Sequence, residues 1–556
     1  MPYILGDKIA KAMPPLISGR DTPLWACLEE NEKYLEGYQA AGDVRALRDS
    51  DPDAARIIEV ATGLEDLRRQ DGIHAAAVVI TKDPLTEYLP IQRKPESGQD
   101  PEHAPIVTQY EMHGVEDLGL LKMDFLGLRN LDVIDETLRL ISSTRGHVVP
   151  IDSVPLDDEA TFAMLQAADS IGVFQLEGQQ MRDLMRSLSP TTFDDIAALV
   201  ALYRPGPMAE NMHNDYADRK NGRQGVSFWH PDLEEDLGDT YGLMIYQESM
   251  MRVAQRIAGY DLAQADNLRK ACGKKDRNLL AAERDKFIDG AEATGYGRAL
   301  GEKIFDVIEP FADYAFNKSH AYGYGLIAYQ TAYLKANYPL EYFTALLTSV
   351  KGKLEKGAVY VNECRKRGIP VHVPDINASD SDFTAVVDPE GDYIPFALSA
   401  IRNVGEGLVR EVLEERDANG PFVDFYDFCE RVKIEALNKK TIESMIKAGV
   451  FDSMGHPRGG LMEVFSDIVD FVVDRRRDEE FGIMNLFGEL DPSDSFDERP
   501  KIPDIQFDKR QQLAFEKEML GLYISDHPLM GAEASLRKAT DHALEDFEEI
   551  PDNTYG

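Results

Sequence analysis

The stretch that decides the fold class runs from 311 to 343 and reads FADYAFNKSHAYGYGLIAYQTAYLKANYPLEYF. Its second half carries apolar residues at three- and four-residue spacing, which predicts a long α-helix. A compact polar cluster of Asn317, Lys318, Ser319 and His320 precedes that helix. Lys318 and His320 can donate to phosphate oxygens, and Ser319 can cap the helix, whose N-terminus favours anions.

Aromatic residues flank this polar cluster. Their rings can stack on a base or a sugar, and they are Tyr314, Phe316, Tyr322 and Tyr324. A structural interpretation is about equally open, in which the tyrosines belong to the core and the polar cluster is a loop.

Helical patterns extend outward from this stretch. Segments 1–72 and 131–350 are mainly helical by their periodicity, and Thr192–Asp195 forms a start signal for one of these helices. Short runs typical of strands occur at 74–82 and within 109–128. The sequence therefore predicts a mainly α fold with a small β-containing part (α+β).

The last third of the chain alternates in character. We expect a loop followed by a strand at 373–387 and further helices at 395–455. Residues 476–510 are rich in Asp, Glu and Pro, which is typical of a linker. Another element begins after them.

Composition limits the class of protein. A chain of 556 residues corresponds to about three to five domains. No run of 18 apolar residues occurs, so no membrane-spanning segment is expected. Four widely separated cysteines without a CxxC pair indicate a reducing, cytoplasmic location and argue against disulfides or a zinc ribbon.

The net charge of −39 argues at first sight against nucleic acid as a ligand, because DNA binding depends on neutralising phosphates. The charge is unevenly distributed, however. Between Arg252 and Lys286 basic residues outnumber acidic ones, so a basic island lies inside an acidic protein. Solvated acidic faces are the simpler interpretation of the remaining excess.

The string LLKMDFLGL contains the first candidate site. Side chains alternate between the faces of a strand, so Lys122 and Asp124 share one face. A carboxylate can hold a divalent metal ion while the neighbouring ammonium contacts a phosphate. An ordinary edge-strand ion pair is the simpler interpretation of this pattern alone.

The basic island holds the second candidate. Arg269, Lys270, Lys274 and Lys275 cluster with Gly273, which permits close backbone approach, although a solvated helix end is equally possible. Two further strings, IGVFQLEGQQMRDL and ALYRPGPM, are unusual. Arg204 in the second string can reach a phosphate from a fixed turn, and a purely structural turn is equally credible.

A third candidate lies in IRNVGEGLVREVL, residues 401–413. The apolar-Gly-x-Gly pattern between helices is typical of a helix-hairpin-helix, although one such string is a weak signal. The backbone N–H groups that can meet a DNA phosphate belong to Val404, Gly405, Glu406 and Gly407. Residues 437–455 resemble a second, degenerate copy.

The P-loop string, HExxH, GxSxG and a GxGxxG after a strand are missing from the sequence. The order of its strings instead resembles the C-family alpha subunit of bacterial replicative DNA polymerases. Those strings include KMDFLGLRNL, GVFQLEG, ALVALYRPGPM, IYQESMMRVAQRIAGYDLAQADNLRKACGKK, FNKSHAYGYGLIAYQTAYLKANYP and EKEMLGLYISDHPL.

The resemblance implies a multidomain arrangement. The implied parts are an incomplete thumb at 1–72, the second part of the palm at 73–130, fingers at 131–375, a helix-hairpin-helix region at 376–475, an acidic linker at 476–510 and the start of a C-terminal region at 511–556.

The resemblance also implies roles for individual residues. Asp124 matches a metal ligand of the palm, and Lys122 matches a lysine that contacts phosphate beside it. The finger residues around the incoming triphosphate would be Arg269, Lys270, Lys274, Lys318, Ser319 and His320. The implied reaction is attack of a primer 3′-hydroxyl on the α-phosphorus of a dNTP, assisted by two Mg²⁺ ions.

Two departures from the family pattern matter. The paired aspartates of the family lie upstream of the thumb, so we expect this chain alone to be inactive. The clamp-binding motif is degenerate, since Leu486 and Phe487 remain but its glutamine does not. Expected partners are primed template DNA, dNTPs, the other holoenzyme subunits and, less clearly, the sliding clamp.

Two rival hypotheses stay open beside the polymerase. One is a non-catalytic remnant that binds DNA and nucleotides. The other is an acidic helical scaffold, which would show neither DNA affinity nor its steep dependence on salt.

Overall fold

The computed structural model describes residues 3–15, 21–31, 34–67, 72–95, 100–204, 207–208, 211–274, 277–311, 315–480, 499–526 and 540. The chain divides into two compact units. Unit 1 comprises residues 1–129 and 201–318, and unit 2 comprises residues 130–200 and 319–556. Helices dominate the described residues, so the predicted mainly α class with small β parts is confirmed.

The α-helices are, in chain order, α1 Tyr3–Ala12, α2 Leu24–Leu28, α3 Leu35–Ala40, α4 Gly42–Ser50, α5 Pro52–Leu64, α6 Met112–Asp117, α7 Arg129–Arg145, α8 Glu159–Gln166, α9 Gln179–Leu188, α10 Phe193–Leu202, α11 Met212–Lys220, α12 Glu234–Leu237, α13 Gln247–Ala258, α14 Leu262–Lys274, α15 Arg277–Ala293, α16 Arg298–Phe311, α17 Lys318–Asn337, α18 Pro339–Ser349, α19 Leu354–Lys366, α20 Glu406–Asn419, α21 Phe425–Arg431, α22 Lys439–Ala448, α23 Arg458–Glu480 and α24 Lys509–Leu520. The strands are β1 Ala77–Ile80, β2 Ile91–Arg93, β3 Ile106–Thr108, β4 Leu121–Asp124, β5 Val371–His372 and β6 Ile394–Pro395.

Unit 1 contains the helices predicted for the first 72 residues. Asp51 caps α5 by accepting hydrogen bonds from the N–H groups of Asp53 and Ala54, and Pro52 occupies the first position of that helix. Buried Val44 and Ile58 pack the first helices around a small core.

Helices α13 to α16 form a larger core in unit 1. Met250, Val253 and Ile257 recur on one face of α13 at three- and four-residue spacing, and all three are fully buried. Gly259 ends α13 in the left-handed conformation, with φ 66°, which glycine adopts without steric cost. Helix α14 contributes Leu268 to the same core.

The β structure of unit 1 consists of two antiparallel strand pairs, β1 with β4 and β2 with β3. The strand predicted at 74–82 is confirmed. Within 109–128 only Leu121–Asp124 is a strand, because residues 112–117 form helix α6. Opposed residues of β1 and β4 share a face, and one face of this pair is apolar and exposed. Its side chains are Val78, Ile80, Leu121 and Met123.

Unit 2 is built around α17 and α18. Tyr329, Tyr342 and Phe343 are among its largest fully buried side chains. The predicted start of α10 is confirmed, since Asp195 accepts hydrogen bonds from the N–H groups of Thr191 and Thr192.

The C-terminal part of unit 2 corrects two expectations. Instead of a strand within 373–387, the chain makes a single bridge between Val386 and Tyr393, and the short parallel pair β5–β6 flanks it. Helix α23 continues to Glu480, so the first residues of the expected linker at 476–510 are helical. The residues 481–498 lie outside the described part, and so do Leu486 and Phe487. Helix α24 is the element expected after the linker.

The four cysteines are buried and form no disulfide with one another. No described helix is both long and apolar enough to cross a membrane.

Candidate functional site

The Lys122–Asp124 pair lies on β4, where the sequence predicted it. Asp124 lies opposite Ala77 and Lys122 opposite Val79 on strand β1, so both side chains lie on one face of the strand pair. Lys122 Nζ donates to Asp124 Oδ2 at 3.4 Å. The side chain of Asp124 is 51% exposed and that of Lys122 is 19% exposed. The carboxylate is therefore paired and still accessible to a ligand.

His74 is a neighbour of this pair that sequence reasoning missed. Its Nδ1 accepts hydrogen bonds from the N–H groups of Ala76 and Ala77 at 3.2 and 2.8 Å, and it lies 3.9 Å from Asp124 Oδ1. No local pattern connects His74 with Asp124, because only the antiparallel pairing of β1 with β4 brings them together.

The donor set around Asp124 can be compared with the needs of Mg²⁺. No group of three or more His, Cys, Asp or Glu side chains able to hold a metal occurs among the described residues. Mg²⁺ at phosphate-transfer sites is usually bound by one or two carboxylates, waters and substrate phosphates. Asp124 therefore fits as one ligand of such an ion, and the described residues do not form a complete protein cage.

The polar cluster after α16 is attached to the beginning of α13. Gln247 donates its backbone N–H to Phe316 O at 2.8 Å, and Glu248 accepts from the Asn317 amide at 2.9 Å and from the Lys318 N–H at 2.8 Å. Because Glu248 binds the chain at the first turn of α17, it fixes the position of Lys318. This attachment could not be predicted from local sequence.

Two candidate cations meet around this attachment. Lys318 Nζ donates to Asp239 Oδ2 at 2.7 Å. Arg204 lies just beyond the end of α10, and its guanidinium is 4.2 Å from the ring centroid of Phe316. Helix α17 begins at Lys318, so Ser319 lies inside the first turn and is not the cap that we expected. Ser319 and His320 are both exposed.

Arg269 and Lys270 share one carboxylate on their own helix, α14. Asp266 accepts from Arg269 Nε at 2.9 Å and lies 2.8 Å from Lys270 Nζ. The hydrogen bond from Lys270, followed by that from Arg269, lowers the pKa of the Asp266 carboxyl. An anion would therefore have to replace Asp266 as the partner of these cations. Sequence reasoning singled out the cations and missed the acid.

Helices α13 and α14 pack directly on each other, with Cys272 Sγ 3.7 Å from Met250 Sδ. The cations of α14 and the attachment of Lys318 to α13 thus belong to two helices in contact. The side chain of Lys274 and all of Tyr314 lie outside the described residues. The convergence of Asp124 with these cations around one nucleotide stays a prediction.

The predicted hairpin at 401–413 is present with two corrections. The element before it is a 3₁₀ turn, Leu398–Ala400, and not an α-helix. The N–H of Val404 donates to Ile401 O at 3.1 Å, so it is engaged within the turn and is not directed to a phosphate. Three residues are exposed at the start of α20, namely Gly405, Glu406 and Gly407. The N-cap residue is Gly405, which has no side chain that could cap the helix. The first N–H groups of a helix lack intrahelical partners.

The degenerate copy at 437–455 packs beside this hairpin. Thr441 Oγ1 donates to Asn403 O, and the Asn403 amide donates to Ser444 Oγ, each at 3.1 Å. The side chain of Asn438 accepts from the N–H groups at the start of α22. The two helix starts therefore differ, since only α22 is capped by its own N-cap side chain.

Comparison with known proteins gives three matching family models. The bacterial DNA polymerase III alpha NTPase domain matches residues 2–127, the bacterial DNA polymerase III alpha subunit finger domain matches 130–295, and the helix-hairpin-helix motif matches 368–461. Together they span well over half of the chain.

Curated relatives agree with these matches. The DNA polymerase III subunit alpha of Mycobacterium tuberculosis strain H37Rv is 47% identical over 549 residues, which cover 98% of this chain and 45% of the relative. The Thermus aquaticus protein of the same name is 40% identical, with 99% of this chain and 43% of the relative covered. The chain thus spans slightly less than half the length of these relatives.

Proposed function

The chain belongs to the family of bacterial DNA polymerase III alpha subunits, and from this premise we propose that it forms part of the catalytic subunit of a replicative DNA polymerase. The reaction is template-directed transfer of a nucleotide from a dNTP to a primer 3′-hydroxyl. The observation that carries the proposal is the identity of 47% over 98% of the chain.

In this proposal Asp124 is one metal ligand and Lys122 contacts a phosphate. The support is geometric, because the two side chains share a strand face and Asp124 remains half exposed. Two Mg²⁺ ions, when bound, would stabilise charge on the attacking and leaving oxygens. His74 restrains the approach to Asp124 from the side of β1, since its ring is fixed by two backbone N–H groups.

The finger cations bind the triphosphate by exchanging partners. Lys318 leaves Asp239, and Arg269 and Lys270 leave Asp266, when a more highly charged anion arrives. Such pre-paired cations keep their positions without a ligand and limit the repulsion between neighbouring positive charges. Arg204, Ser319, His320, Lys274 and Tyr314 complete the proposed nucleotide contacts.

The helix-hairpin-helix region binds the DNA backbone. The exposed start of α20 at Gly405, Glu406 and Gly407 offers N–H groups to a phosphate without requiring positive charge, which suits an acidic protein.

The domain limits inferred from the sequence remain part of this proposal: thumb 1–72, palm 73–130, fingers 131–375 and helix-hairpin-helix region 376–475. Other replicative subunits and the sliding clamp are the proposed protein partners, with Leu486 and Phe487 as the clamp contact.

Primer extension tests the proposal. The chain is assayed with a primed template, dNTPs and Mg²⁺, alone and co-expressed with the part of the Mycobacterium tuberculosis subunit that it does not span. We expect synthesis only in the co-expressed assembly, and none when Asp124→Asn is introduced. DNA and dNTP binding without synthesis in either sample would favour a non-catalytic binding protein. Neither binding nor synthesis would favour the acidic scaffold.

A further inference from the structure

The string IGVFQLEG has no role in the function described so far, although it forms an unusual backbone. Between Ala168 and Leu176 in unit 2, three residues adopt positive φ: Ala168 at 53°, Gly172 at 84° and Gln175 at 59°. Residues other than glycine are strained at positive φ, and such strain persists only where the surrounding structure enforces it. We call residues 168–176 the left-handed loop.

Buried groups of α17 and α18 enforce this conformation. Lys335 Nζ donates to Asp169 O at 2.7 Å and to Ile171 O at 2.8 Å, and Tyr342 Oη donates to Gly172 O at 2.7 Å. A Cβ at Gly172 would meet Leu346 Cδ1 at 2.7 Å, and the φ of 84° would strain any residue with a side chain, so glycine is favoured there.

The left-handed loop runs along one face of α17 towards the N-terminus of that helix. Asp169 and Ile171 contact Lys335, the N–H of Phe174 donates to Thr331 Oγ1 at 3.1 Å, and the ring of Phe174 reaches Tyr324. The residue numbers of the contacted helix positions decrease from Lys335 to Tyr324 as the residue numbers along the loop increase, so the two segments run antiparallel. Phe174 is thereby delivered to the helix turn that follows the polar cluster.

Three rings form a row at this end of α17. The centroid of Tyr324 lies 5.7 Å from that of Phe174 and 4.2 Å from that of His320, with tilts of 34° and 35°. His320 is exposed, and Tyr324 and Phe174 are partly exposed. Tyr329 of the same helix differs from Tyr324, because it is fully buried. Partly exposed rings in a row offer a stacking surface, whereas rings of a core do not.

We propose that Phe174 is a positioning residue that fixes the His320–Tyr324 rings as a stacking platform for a nucleobase. This inference rests on the proposed function, and it adds a residue of the left-handed loop to the nucleotide site. Phe174 acts through Tyr324: it restricts the rotamers of that ring, and the hydrogen bond to Thr331 keeps Phe174 itself in place.

The test uses 2-aminopurine, whose fluorescence is quenched by stacking. One arm titrates the full chain with 2-aminopurine deoxynucleoside triphosphate and Mg²⁺, and the other uses a primed template with 2-aminopurine at the templating position. The variants are Phe174→Leu, which removes the ring, and Phe174→Tyr, which retains it. Gln175→Gly is the matched structural control, because it relieves the strained φ without touching the row.

We expect Phe174→Leu to weaken binding about five- to tenfold in at least one arm and to reduce the quenching at saturation. Phe174→Tyr should restore both within about twofold, and Gln175→Gly should leave both unchanged. An effect in the triphosphate arm identifies the incoming base, and an effect in the template arm identifies the templating base. A purely structural role would lower the melting temperature without changing the quenching per bound nucleotide.

Equal affinity and equal quenching for the wild type and Phe174→Leu in both arms would overturn the inference and leave the proposed function standing. A wild-type chain that binds neither probe would overturn the proposed nucleotide site and the inference with it. If Phe174→Leu does not fold, Phe174→Met supplies the same comparison with a flexible side chain that fills the space.

Discussion

Two lysine–aspartate pairs of this protein share their chemistry and differ in their surroundings. On β4 in unit 1, Lys122 and Asp124 are joined at 3.4 Å, and the carboxylate is half exposed. In unit 2, Lys335 and Asp169 are joined at 3.0 Å, and the lysine is 0% exposed. Lys335 also donates to two backbone carbonyls of the left-handed loop.

The difference separates a pair that can exchange partners from one that cannot. Water and ions compete for the exposed pair, so a metal ion or a phosphate can replace either partner at small cost. The buried ammonium donates to two backbone carbonyl groups, so its removal disturbs the backbone. Under the proposed function, similar residue pairs therefore serve ligand binding in one region and loop geometry in the other.

The largest expected effect concerns the exposed pair. Asp124→Asn should reduce primer extension by the co-expressed assembly about a hundredfold or more, because it removes the charge that, in the proposed function, holds a metal ion during nucleotide transfer. Chemical denaturation of the isolated chain should show little change. Near wild-type synthesis by this variant would remove Asp124 from the metal site.

The second effect concerns the buried pair. Lys335→Met should lower the free energy of unfolding of unit 2 by about 2–4 kcal/mol, because two backbone carbonyls lose their buried donor. The matched variant Lys122→Met should cost less than about 1 kcal/mol. Urea denaturation followed by far-UV circular dichroism measures both. Equal losses for the two variants would break the comparison.

The pH dependence of stability sharpens the same contrast. Burial, opposed by the neighbouring Asp169 carboxylate, lowers the pKa of Lys335 to about 8 from 10.5. Between these values the unfolded chain binds the proton that the folded chain has lost, so the free energy of unfolding gains a contribution as pH rises. That contribution is lost as pH falls through about 8.

The free energy of unfolding of the wild type and of Lys335→Met is measured by urea denaturation at several pH values between about 7.5 and about 10.5. This range includes the pKa of Lys335 in the folded and in the unfolded chain. Titration of the buried cysteines, whose pKa values are raised by burial, affects both proteins equally. We expect the free energy of unfolding of the wild type to increase relative to that of the variant as pH rises. Parallel curves would contradict a lowered pKa of Lys335.

The smallest effect extends the comparison to exposed backbone donors. Gly405 has φ −88° and open space where a Cβ would lie, so Gly405→Asp introduces a cap without strain. The carboxylate should stabilise α20 by about a few tenths of a kcal/mol and weaken DNA binding severalfold, because it competes with a phosphate for the same N–H groups. The neutral cap Gly405→Asn is the control for charge. Unchanged DNA affinity for both variants would place the DNA contact elsewhere.

Local patterns predicted much of this fold. The helices of the first 72 residues, the Thr192–Asp195 start and the shared face of Lys122 and Asp124 follow from periodicity and capping, which depend on near neighbours in sequence. The corrections at Ser319 and Val404 each concern a single group. Ser319 lies inside the helix because the helix starts at Lys318, and the Val404 N–H is bonded within its own turn.

Long-range partners were beyond the reach of local patterns. His74 approaches Asp124 through strand pairing, Glu248 holds Lys318 from another helix, and Lys335 binds the left-handed loop from α17. None of these contacts has a spacing that sequence periodicity can detect. The family resemblance predicted the cations of the proposed site, whereas the acidic partners Asp239 and Asp266 were seen only in the fold.

The apolar face of the β1–β4 pair has a practical consequence. A two-stranded ribbon is barely stable in water by itself, and here Val78, Ile80, Leu121 and Met123 face outward from it. Such a surface attracts other apolar surfaces, so concentrated solutions of the purified chain should self-associate and require a mild detergent to stay dispersed.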